Sequence, residues 1–120
     1  MLRRPAAPDR AETLIAIQLE EREAIENLDE LLQVPDVDVF FIGPSDLSQS
    51  MGHSGNPKAS PVAEAINRSF ERIVAAGRIP GTPATADNVK EVLGKGVRYI
   101  YNHVPRLLAA SSKAFLGAAR

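Results

Sequence analysis

The sequence predicts an α/β fold built on parallel strands, and three observations lead there. Short apolar runs alternate with helix-period segments four times along the chain. The runs are too continuous for strands wetted on one face. Gly or Pro marks most of the junctions. Crossovers of this kind are right-handed and join strands that run the same way.

Residues 1–13 read as a loose arm, because Met1-Leu2-Arg3-Arg4-Pro5 is basic but lacks the apolar core of a secretory signal. Residues 14–120 read as one partial barrel domain, beginning with an apolar first strand over 14–19. Over 21–32 the spacing turns helical. Ala24, Ile25, Leu28, Leu31 and Leu32 share one face, and Arg22, Glu23, Glu26, Asn27 and Glu30 the other. Val34-Pro35-Asp36 breaks the helix, and 37–42 form the second strand. A polar loop rich in Gly, Ser and Pro is expected from Gly43 to about Ser60.

Pro61 suits the first turn of a helix that buries Val62, Ala65, Ile66, Phe70, Ile73 and Val74, and Gly77 ends it. A short third strand over 79–82 is weakened by Pro80 and Pro83. A helix near 86–93 turns Val89, Val92 and Leu93 inward before Gly94 and Gly96. A fourth strand over 97–102 and a closing helix over 105–119 complete the chain. Two architectures fit: a small doubly wound sheet, or four units of an eight-unit barrel. In the second, the apolar edges at 14–19 and 97–102 invite another chain, either as a homo-oligomer or as a partner supplying the missing barrel half.

Composition narrows the function classes. The 120 residues suit one domain. A net charge of −1 with interspersed acids and bases offers nucleic acid no basic stripe. There is no cysteine, hence no disulfide framework or thiolate metal site. No apolar run approaches the roughly 18–20 residues of a membrane span, so no membrane partner is expected and the default compartment is cytoplasmic.

In parallel α/β proteins, ligands gather at the carboxyl ends of the strands. The first strand ends in Gln18-Leu19-Glu20, and Gln18 and Glu20 share a face because side chains alternate. From spacing alone, Glu20 also reads as a first-turn acid favoured by the helix dipole. The second strand leaves through Gly43-Pro44, with Asp46 three residues past the glycine. A helix cap is the simplest reading of that stretch. Adjacent parallel strands would bring both carboxylates to one rim. Two hard oxygen ligands without His or Cys suit Mg²⁺ or Mn²⁺ better than zinc. Backbone N–H groups around Ser45, Asp46 and Leu47 would begin a helical turn able to take an anion. A metal beside an anion site is what a 2-keto acid needs: amides for its carboxylate, the metal for its keto oxygen.

The stretch from Ile17 to Pro57, "IQLEEREAIENLDELLQVPDVDVFFIGPSDLSQSMGHSGNP", resembles the HpcH/HpaI aldolase family. These are class II pyruvate-type aldolases, relatives of the citrate lyase β-subunit group. The Gln-x-Glu strand end, the Gly-Pro-Ser-Asp-Leu-Ser…Met-Gly loop and the 26 positions between the two acids all match. The resemblance implies a (β/α)₈ TIM-barrel fold with this chain as its C-terminal half. It implies Glu20 and Asp46 as metal ligands and Gln18 as the catalytic-site glutamine beside the keto acid. Gly43, Pro44, Ser45 and Asp46 would form the substrate-binding turn, its amides taking the carboxylate. The implied reaction is reversible carbon–carbon cleavage of a 4-hydroxy-2-keto acid to a pyruvate-like acid and an aldehyde. The likeness thins after about Gly77. Where family members usually carry a small-residue and acidic segment, this chain has Tyr101-Asn102-His103-Val104-Pro105. The general-base histidine and the substrate arginine belong to the family's first barrel half, and nothing before Leu14 is expected to replace them. His53 reads as a loop-stabilising residue and His103 as a surface or partner contact. Arg78, Arg98 and Arg106 read as solvated or helix-end charges. A barrel remnant acting as a binding or assembly module is the non-enzymatic alternative.

Overall fold

A computed structural model describes residues 13–120, so nearly all of the expected arm lies outside the described residues. Four strands, β1 (Ala16–Leu19), β2 (Val39–Ile42), β3 (Ile79–Pro83) and β4 (Tyr99–Tyr101), form one parallel sheet in the order β1-β2-β3-β4. The helices are α1 (Arg22–Glu26), α2 (Leu28–Leu31), α3 (Pro44–Ser50), α4 (Ser60–Ala75), α5 (Val89–Gly94) and α6 (Val104–Ala118).

The strand order separates the two architectures. A doubly wound sheet reverses direction at a switch point, whereas a barrel adds each strand beside the last. Here every strand lies beside its predecessor, the topology of four consecutive barrel units. The two faces agree with this. Leu19, Phe40 and Ile42 are buried on the helix side with Leu28, Leu47, Phe70 and Ile73. On the opposite face the edge-strand residues Ala16, Gln18, Tyr99 and Tyr101 are exposed.

Several elements differ from the sequence reading. The 21–32 helix is two short helices broken at Asn27. The break coincides with Arg72 of α4, which donates to the Ile25 carbonyl at 3.0 Å and to Asp29 Oδ1 at 3.1 Å. The Ile25 carbonyl is thus engaged outside its own helix. The polar loop after Gly43 begins as helix α3, because Pro44 is preset for the first turn and Leu47 is fully buried. Val74 is 45% exposed rather than in the core, and lies instead against the turn at Gly96. Leu93, in the last turn of α5, is likewise exposed. The expected closing helix, α6, buries none of its residues, for among the described residues no strand lies beyond β4 for it to cover.

Two prolines in an inner strand ought to disrupt it, since each lacks a ladder donor. In β3 both gaps fall where the ladder can bear them. The Pro80 carbonyl accepts from Arg98, so its missing N–H faces the β4 side, level with residues that precede Tyr99. Pro83 faces the β2 side just past its end, where an N–H would serve the Ile42 carbonyl. The Thr82 hydroxyl donates to that carbonyl instead, at 3.1 Å. Sheet pairing therefore survives on both sides.

Arg78 ties the opposite end of the sheet to the α2 turn. Its guanidinium donates to the carbonyls of Leu32 at 2.8 and 3.0 Å and of Val34 at 2.7 Å. It also lies 5.6 Å from the Phe40 ring centroid, a cation–π contact. This is the helix-end role expected for it, remote from the carboxyl rim.

Gly81 allows the aromatic layer on the open face. A Cβ there would sit 2.9 Å from Phe41, 3.0 Å from Val39 and 3.1 Å from Tyr99. Gly81→Ala is expected to destabilise the fold by about 1–3 kcal/mol through overpacking, read from urea denaturation. A loss below about 0.5 kcal/mol would mean that these rings move aside freely.

Candidate active site

The site follows from register. Gln18 pairs with Phe41, Phe41 with Gly81, and Gly81 with Tyr99, so these four form one layer of the open face. Two residues further along each strand come Glu20, Gly43, Pro83 and Tyr101, the layer at the carboxyl rim. Pro83 and Tyr101 are themselves paired.

Gln18 Nε2 donates to Glu20 Oε2 at 2.5 Å, joining the amide and carboxylate on the shared face. Gly43 makes room for them. A Cβ at Gly43 would lie 3.1 Å from Gln18 Nε2 and 3.6 Å from Glu20 Oε2. The Gly43 N–H donates to the Leu19 carbonyl at 3.1 Å, so the two strand ends remain in step until the chain turns. Gly43, extended, then serves as the N-cap of α3, with Pro44 in the first turn.

That turn leaves two amides outward. Pro44 has no N–H, and the Leu47 N–H is taken by the Gly43 carbonyl at 3.0 Å. The Ser45 and Asp46 amides lie in the first helical turn, where no preceding helical carbonyl exists to receive them. Buried Ser48 anchors the turn through a 2.6 Å hydrogen bond to the Ser45 carbonyl. Asp46 is exposed, and none of the described residues donates a hydrogen bond to its carboxylate.

Gln18, Gly43, Pro44, Ser45 and Asp46 line a common cavity of about 470 Å³. Glu20 is not part of the lining. It stands beside the cavity, against Gly43 and hydrogen-bonded to Gln18. Among the described residues no cluster of three or more His, Cys, Asp or Glu could enclose a metal. Glu20 and Asp46 put two carboxylates in or beside this cavity, a donor chemistry that would suit a hard cation keeping water and substrate in its other positions. It does not fit zinc in a closed protein cage.

Two cavity residues, Tyr99 and Tyr101, were missed in the sequence. The signal was present, since two tyrosines two apart at the end of the last strand must share a face. His53 does not line this cavity. Its N–H donates to the Ser48 carbonyl at 2.7 Å and its carbonyl accepts from Asn56 at 2.9 Å, holding the loop after α3.

Sequential parallel strands with an acid–amide pair and a Gly-Pro turn at their carboxyl rim define a barrel-type protein, with a cavity at the end where ligands gather in such folds. The chain belongs to the HpcH/HpaI aldolase/citrate lyase family, whose model matches residues 2–101. It is 39% identical over 105 residues to a 4-hydroxy-2-oxo-heptane-1,7-dioate aldolase of Klebsiella pneumoniae, covering 87% of this chain and 40% of that protein. A crystal structure of an HpcH/HpaI aldolase/citrate lyase family protein from Burkholderia cenocepacia superposes with a TM-score of 0.81 at 26% identity, covering 92% of this chain and 44% of that one. The HpcH/HpaI aldolase of Desulfitobacterium hafniense gives 0.76 at 25% identity, with 91% and 44% covered. The chain therefore spans about two fifths of the length of the relatives it matches. Among the described residues no helix is long and apolar enough to cross a membrane.

Proposed function

We propose that this chain supplies the metal and keto-acid carboxylate site of a divalent-metal-dependent carbon–carbon lyase, a class II aldolase. The substrate class is a 4-hydroxy-2-keto acid, cleaved to a pyruvate-like keto acid and an aldehyde. The observation that carries this reading is the convergence of Gln18, Ser45 and Asp46 on one cavity with Glu20 at its side. Family membership and the named relatives support it.

Glu20 and Asp46 would hold Mg²⁺ or Mn²⁺ through carboxylate oxygens. Such a cation, when bound, polarises the keto oxygen and offsets the negative charge that grows there as the carbon–carbon bond breaks. The chain's own groups do the rest of the positioning. The Ser45 and Asp46 amides receive the substrate carboxylate at the positive end of a short helix. The Gln18 amide, fixed by its bond to Glu20, presents its remaining polar atoms to the keto acid. Gly43 and Pro44 keep the turn small enough for ligand to approach the backbone. The general base and the arginine are assigned to the other four units of the barrel, contributed by a polypeptide that pairs with the edge strands β1 and β4 or by a homo-oligomeric neighbour. The cytoplasm is the compartment this chemistry suggests.

Exchange of the pyruvate methyl protons with deuterium in the presence of Mn²⁺ tests the reading. Exchange is expected when the chain is mixed with a polypeptide spanning the remaining units, and little for the chain alone. If the mixture binds pyruvate but exchanges nothing, the chain is a barrel remnant acting as a binding module. That second reading draws on the site's composition, since neither histidine of the chain lines the cavity.

A further inference from the structure

The β4 side of the cavity is unlike the β1–β2 side. Tyr101 ends β4, lines the cavity and occupies the same rim layer as Glu20 and Gly43. A tyrosine 46% exposed would ordinarily turn freely, yet this one is held. Its hydroxyl is hydrogen-bonded to His103 Nδ1 at 2.5 Å, and the two rings meet edge to face at 6.0 Å. His103 is in turn fixed as the N-cap residue of α6, and its N–H donates to Asn102 Oδ1 at 2.7 Å. One layer below, Tyr99 meets Phe41 edge-on at 6.1 Å and makes an aromatic floor.

Three strand steps separate β1 from β4, roughly 14 Å along the sheet. A keto acid whose carboxylate sits on the Ser45 and Asp46 amides has the keto carbon beside Gln18 and Glu20. The rest of the molecule can extend across the sheet toward β4. Among the described residues that line this cavity none is cationic, so a second carboxylate would meet no opposite charge there. A neutral oxygen would meet a fixed phenol.

Resting on the aldolase reading above, we infer that Tyr101, oriented by His103, is a specificity-determining residue that hydrogen-bonds the hydroxylated fragment of the substrate beyond its pyruvate part. Tyr101 contacts the ligand directly. His103 is a positioning residue that acts through Tyr101. One neutral hydrogen bond at a half-open site discriminates about fivefold.

The test is calorimetric, on the full chain with saturating Mn²⁺ and two probes, pyruvate and 4-hydroxy-2-oxopentanoate. Tyr101→Phe is expected to weaken the longer acid about fivefold and to leave pyruvate within about twofold. His103→Leu should lose part of the same preference, and His103→Gln, which retains a hydrogen-bonding partner, should restore it. Equal affinities of Tyr101→Phe and the parent for the longer acid would overturn the inference while leaving the keto-acid site intact. Equal weakening of both probes would also overturn it, since the effect would lie at the shared end of the ligand. Failure of the parent chain to bind pyruvate would overturn the aldolase reading and this inference with it. Unchanged thermal unfolding of Tyr101→Phe confirms that the comparison is between folded proteins.

Discussion

Asp46→Asn is expected to weaken Mn²⁺ binding by at least about tenfold in calorimetry, with the fold intact. The substitution keeps the shape of the side chain and replaces an anionic hard oxygen by a neutral amide. Asp46 is exposed on α3 and takes no hydrogen bond from any described residue, so little else depends on it. Loss of a first-turn acid costs the helix about 0.3–1 kcal/mol through its dipole, too little to unfold the domain. With only two carboxylates available, removing one leaves a single protein ligand and a mostly hydrated ion. Glu20→Gln should act in the same direction. It also replaces the charged acceptor of the Gln18 bond by a neutral amide oxygen, so it should weaken the hold on the Gln18 side chain. Unchanged Mn²⁺ affinity in Asp46→Asn would refute the metal assignment.

Phe40→Ala is expected to lose about 3–5 kcal/mol of stability, read from the midpoint of urea unfolding. Phe40 is completely buried beneath the helices, and its neighbours Leu28, Ile42 and Ile73 of the same core cluster are equally inaccessible. These side chains cannot all collapse into the gap. The Arg78 guanidinium would also lose the ring beneath it, while keeping its bonds to the Leu32 and Val34 carbonyls. Domain stabilities run to about 5–15 kcal/mol, so this one ring carries a large share. A loss under about 1 kcal/mol would indicate that the helices close over the cavity.

Much of this fold was legible because strands and helices announced themselves by different periods. Leu28, Phe70 and Ile73 were placed on the buried helix faces by spacing alone, and they are buried. The choice of barrel over doubly wound sheet was not legible from periodicity, because strand order is a property of pairing between distant segments. The family resemblance was needed there, and the observed order agrees with it. The break at Asn27 escaped notice because an arginine 45 positions later engages the carbonyl involved. The helical turn expected at Ser45, Asp46 and Leu47 is there, but its extension to the seven residues of α3 escaped because most of them are polar and only Leu47 and Ser48 are buried. At the site, Gln18, Glu20 and Asp46 stood out as polar residues at strand ends. Tyr99 and Tyr101 read as ordinary strand formers, and only their register with β3 places them across the same cavity.

The strand order has a consequence for how the chain acquires its shape. Each strand pairs with the one that precedes it, so the sequence order of the units is also their spatial order. During synthesis, every emerging unit finds its docking edge already made, and no strand must wait for a later one to be inserted beside it. Loop closure is confined to single crossovers, whose entropy rises only slowly with length. Growth by addition of one unit at a time is therefore open to this architecture in a way that it is not to sheets with interleaved strands.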